Sequence, residues 1–132
     1  MRRDELEIVS DAIVGLEKLI DAERVQKYFD RSLLDRLAFF AKNLKDETPI
    51  LSLAYIFSYV SYEDFLMPEM VKSGILSTLF TWLSNPESPK NLKKEVLWML
   101  ANFLVGSDTF FDSVLGTPEQ YQLIFSFCFC ED

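Results

Sequence analysis

The chain contains no histidine, and that absence removes much of enzyme chemistry from consideration. Histidine is the commonest general base near neutral pH and the usual nitrogen ligand of zinc, so histidine triads and His-liganded metal centres are excluded. Cysteine is nearly absent as well: Cys128 and Cys130 are the 2 in the chain, two residues apart in FSFCFCED. Neighbours at that spacing do not readily bridge each other, so a disulfide framework is excluded and a reducing compartment is the simple reading. Two sulfurs without a histidine are too few for a structural metal site; no metal and no cofactor is expected. Glycine is scarce, and Gly15, Gly74, Gly106 and Gly116 stand alone, so there is no phosphate-cradling loop. With few glycines and no long polar loops, helices are favoured over sheets. No apolar run reaches membrane-spanning length. The opening MRRDELEIVSDAIV turns acidic after two arginines, unlike a signal peptide.

What is present is a chain of 132 residues, 49% hydrophobic and 26% charged, enough for one domain with a real core. The formal net charge is −8 and its placement is uneven. Residues 1–45 balance nine Lys/Arg against nine Asp/Glu, whereas residues 46–132 carry four against twelve. An acidic surface repels phosphates, which argues against nucleic acid and favours basic partners. The carboxylates Asp46, Glu47, Glu63, Asp64, Asp108 and Asp112 are scattered and read mostly as helix-start residues rather than acid–base pairs, so no catalysis is expected. Lys90, Lys93 and Lys94 form the one basic cluster of the second half and read as a solvated helix start.

The chain repeats itself, the signature of a stacked array. SLLDRLAFFAKN (32–43) aligns with GILSTLFTWLSN (74–85) at an offset of 42, and LAYIFSYVS (53–61) with VLWMLANFL (96–104) at 43. AIVGLEKLI (12–20) falls in the same column as LAYIFSYVS at 41. A period near 42 with three short helical patterns per unit is characteristic of armadillo-type arrays. In that frame third helices are expected at 4–20, 48–61 and 90–105. First helices are expected at 23–30, 63–71 and 109–115, and second helices at 32–43, 74–84 and 118–129. Thr48-Pro49, Ser73-Gly74, SNPESPKN (84–91) and Thr117-Pro118 fall at the breaks. The fold class expected is all-α: an armadillo-type right-handed helical solenoid, one domain over 1–132, of about three three-helix repeats, truncated at both ends. The units divide as a trailing helix to about 21, repeats at 22–61 and 62–105, and a partial repeat at 106–132. Phe39, Phe40, Phe57, Phe80, Trp82 and Phe103 recur in phase with the apolar face and are core candidates.

One pair stands out. In KKEVLWMLANFLV, Trp98 precedes Asn102 by four residues, so a helix carries them one above the other on one face. Two readings compete. The indole belongs to the core and Asn102 is a helix-surface amide, or the two read a peptide. An amide offers a donor and an acceptor to a peptide bond, and an indole face holds an ammonium or guanidinium at roughly 0.5–2 kcal/mol.

The run LKKEVLWMLANFLVG, followed by SDTFFDSVLG, resembles one repeat of an importin-alpha-type armadillo protein. The resemblance implies that Trp98 and Asn102 line a concave groove, the amide bonding an extended nuclear-localisation peptide and the indole stacking on its basic side chains. Tyr55 and Tyr59 hold the equivalent positions one unit earlier and form a weaker rung; Val14 and Lys18 stand in the unit before that, where Lys18 would repel a basic peptide. Arg2 and Arg3 fall short of the basic N-terminal tail with which that family binds its import carrier. What the resemblance implies is a non-enzymatic, importin-alpha-like adaptor for nuclear import, working in cytoplasm and nucleus. The alternative is an armadillo scaffold module in a larger complex with no preference for basic peptides. The tail LIFSFCFCED crowds Leu123, Ile124, Phe125, Phe127 and Phe129 together. It is expected either to meet a partner or a second copy, or to fold back on the neighbouring helix.

Overall fold

The computed structural model describes residues 3–63, 65–106 and 117–128. Every regular element among them is a helix: α1 (Arg3–Leu19), α2 (Ala22–Tyr28), α3 (Arg31–Asn43), α4 (Glu47–Val60), α5 (Met67–Lys72), α6 (Ile75–Ser84), α7 (Lys90–Gly106) and α8 (Pro118–Cys128). The all-helical class expected from composition is therefore observed. Helices of one expected type pack on each other: α1 on α4 and α4 on α7, and likewise α3 on α6 and α6 on α8. α5 fills the angle between α3 and α6.

The middle position of α4 explains its sequence. A helix with neighbours on two sides must be apolar nearly all round. Pro49, Ser52, Leu53, Ala54, Ile56, Phe57, Ser58 and Val60 are all buried, and Tyr55 is left exposed among them. In contrast α1 has α4 on one side, and of its described side chains Ile13 is the buried one. The core runs on through Leu34, Met70, Ile75, Leu79, Met99, Leu100 and Phe103.

Helix ends follow local chemistry. The side chain of Asp21 accepts from Arg24 N at 2.8 Å and that of Asp30 from Leu33 N at 2.9 Å, capping α2 and α3. Asp46 stands at the N-cap of α4 without a side-chain cap bond, and Glu47 occupies the first turn. The helix expected from residue 63 begins only at Met67, because Pro68 lacks the donor needed by a helix interior and settles in the first turn. Between α4 and α5 the chain turns, with Glu63 N bonded to Val60 O and Leu66 N to Glu63 O. Asp64, Asp108, Asp112, Gly116 and the helix expected at 109–115 lie outside the described residues.

Gly74 joins α5 to α6 at φ +84°, a left-handed conformation that side chains other than glycine adopt at a cost. An added Cβ would meet nothing within 4 Å, so the penalty of Gly74→Ala comes from the backbone alone. Chemical denaturation should show a loss of about 1 kcal/mol; an unchanged midpoint would rule out the left-handed joint.

Between α3 and α5, Arg31 donates to the carbonyl of Lys72 at 3.0 Å and lies 3.5 Å from Glu69. Its bond to Asp35, more than the neighbouring Glu69, pushes the guanidinium pKa up from its ordinary value.

Phe57, Trp82 and Phe103 are buried as expected, and Phe40 and Phe80 are half-buried against the core. Phe39 is a correction: it is 49% exposed. It sits one residue off the buried stripe Leu34, Leu37, Ala38 and Ala41, and stands edge-on to Phe40 at 5.6 Å beside the Arg36 guanidinium. In the tail, Leu123 and Ile124 pack against the core while Phe125 is exposed. The side chains of Phe127 and Cys128, and all of Phe129 and Cys130, lie outside the described residues.

Candidate peptide-binding groove

Three helices each turn a short polar or aromatic face to one open groove of about 490 Å³. From α1 and the residue that follows it come Glu17 and Ile20; from α4 and the turn after it, Tyr55, Ser58, Tyr59 and Tyr62; from α7, Glu95 and Trp98. The spacings are three, four and seven residues, those of a single helix face. The α4 residues face outward because the rest of that helix is taken up by its two neighbours.

Trp98 is not a core ring: it is 53% exposed. Its Nε1 donates to the Tyr62 hydroxyl at 2.6 Å, and the two rings lie 6.4 Å apart, tilted by 55°. Indole has one polar atom, and here it is already used. What Trp98 offers a ligand is ring surface. Tyr55 is exposed and Tyr59 half-buried against the core. Tyr55, Tyr59 and Trp98, singled out from sequence, therefore line one groove.

Asn102 is placed differently. It is half-buried, one turn beyond Trp98, outside the set of residues that line the groove. Its Nδ2 donates to Ser61 Oγ at 2.8 Å, and Ser61, fully buried, donates in turn to Ser58 O at 2.6 Å. Asn102 thus ties α7 to the end of α4, with its carbonyl oxygen left as an acceptor.

Val14 and Lys18 do not line the groove; Glu17 of α1 and Ile20 just after it do so in their stead, and Lys18 is exposed. The consequence is electrostatic. Two carboxylates, Glu17 and Glu95, flank the aromatic rings; among the described residues neither has an ion-pair partner and no lysine or arginine lines the groove. Ser58 at the floor is 7% exposed, and its hydroxyl has no hydrogen-bond partner among the described residues.

Sequence reasoning missed Glu17, Ser58, Tyr62 and Glu95. Ser58 and Glu95 were within reach, since each lies three residues from a residue already singled out and so shares its face. Tyr62 lies beyond the end of α4, and Glu17 depends on how α1 is registered against α4.

No group of metal-ligating side chains occurs among the described residues. No helix among them is long and apolar enough to cross a membrane. Comparison of the chain with protein-family models, curated proteins and solved structures finds no match.

Proposed function

We propose that the chain is a peptide-binding adaptor built as an armadillo-type solenoid, and that its groove takes an extended basic segment of another protein. The observation that carries this reading is the meeting of Tyr55, Tyr59 and Trp98 with the carboxylates Glu17 and Glu95, which have no ion-pair partner among the described residues, in a groove to which no described lysine or arginine contributes. Aromatic faces attract cations, and carboxylates receive their charge. Ser58 offers a hydroxyl to a peptide carbonyl. In the importin-alpha-like form of this reading the segment is a nuclear-localisation signal and the adaptor serves import, moving between cytoplasm and nucleus.

A second reading is supported by Asn102, one of whose two amide hydrogens is committed to Ser61 rather than presented to a ligand. It is an armadillo scaffold in a larger complex, without preference for basic peptides. Fluorescence anisotropy separates the two. A labelled lysine-rich peptide should bind saturably, an uncharged peptide of equal length should not, and Trp98→Ala should weaken binding by about 5–30-fold. Binding indifferent to Trp98 and lost with salt is the result that would leave the scaffold reading standing.

A further inference from the structure

Four aromatic rings and two carboxylates are more than a plain ammonium requires. An unmodified lysine head has three N–H donors and is strongly hydrated. Entering this groove, it exchanges water for ring faces that accept hydrogen bonds poorly. The best acceptors, Glu17 and Glu95, come from opposite flanks, α1 and α7, of the helix that carries the tyrosines. Trp98 has no free N–H with which to orient a polar ligand, because Tyr62 holds it at 2.6 Å. Tyr62 and Trp98 are both largely exposed at the groove, so their rings are available for contact. A cation with partly apolar surface suits this lining better: methyl groups rest on the rings, and a remaining N–H reaches a carboxylate.

We propose that the aromatic end of the groove, Tyr55, Tyr59, Tyr62 and Trp98 with Glu17 and Glu95, selects an N-methylated lysine side chain, mono- or dimethylated, over unmodified lysine. The proposal rests on the reading that the groove takes a basic segment, and it names the side chain that the groove prefers. The carboxylates set the upper limit of methylation, since a trimethylated head keeps the charge but has no N–H to donate.

The test is a titration of the full chain with four versions of one peptide, carrying a central lysine that is unmodified, mono-, di- or trimethylated. Calorimetry gives the affinities. The expected result is dimethyl-lysine binding about 5–10-fold tighter than lysine. Trp98→Phe should shrink that ratio. Glu95→Gln should weaken the dimethylated peptide more than the trimethylated one. Both substitutions are at exposed or half-exposed positions, and circular dichroism confirms the fold. Equal or tighter binding of unmodified lysine would overturn the proposal while leaving the basic-segment reading in place. Failure of all four peptides to bind would overturn both.

Discussion

Phe57→Ala is expected to lower the unfolding free energy by about 3–5 kcal/mol, the cost of deleting a fully buried aromatic ring. Phe57 has no exposed surface and belongs to α4, which packs on α1 and on α7. The cavity therefore opens in the helix that holds three layers together, where neighbours on both sides have little freedom to collapse. Domains of this size are stable by only about 5–15 kcal/mol, so the loss is a large share of the whole. Urea titration monitored by circular dichroism measures it. Phe39→Ala is the control: that ring is 49% exposed and its removal should cost less than about 1 kcal/mol. Equal costs for the two rings would contradict the placement of α4 at the centre of the core.

Reversing the groove charges should have the largest effect on binding. In the double variant Glu17→Lys, Glu95→Lys, two attractions to a basic segment become two repulsions. Exposed charge pairs contribute up to about 1 kcal/mol each, so four such changes amount to roughly 3 kcal/mol, or a loss of about 100-fold at low salt. Raising salt should narrow the gap, because charges at an open groove are screened over about 10 Å at 0.1 M. Both glutamates lack ion-pair partners among the described residues, so their replacement breaks no visible ion pair and the fold should be kept. Anisotropy with the lysine-rich peptide at two salt concentrations reads the result. An unchanged affinity would mean that the basic segment does not lie along this groove.

The groove was partly legible before any coordinates. Trp98 and Tyr55 stand 43 residues apart, and both line it. The period near 42 predicts that much, because helix positions one period apart are expected to point the same way in a stacked array. Val14 and Lys18, aligned in the same column, lie off the groove for a related reason. The alignment of 12–20 with 53–61 rests on hydrophobic matches, which identify the face of α1 that meets α4 but leave its edge loosely defined. A shift of three residues keeps the same face and exchanges Val14 for Glu17. That shift changes the sign of the groove's third rung. Phe39 shows the limit of counting apolar residues: it follows the buried Ala38 directly, and one residue is 100° of helix rotation, enough to carry a ring from core to solvent.

The sequence by itself determined the all-helical class, seven of the eight described helices to within a residue or two at each end, and the exclusion of histidine chemistry. These follow from composition and from local causes, the hydrophobic period and the prolines at breaks. Only the tertiary structure decided that Trp98 is at the surface, that its indole nitrogen is held by Tyr62, that Asn102 donates to Ser61, and that Glu17 comes beside the tyrosines of α4. Each of these depends on how one helix is rotated and slid against the next. That choice is made by packing and hydrogen bonding between residues about 40 positions apart, which no window of local sequence contains.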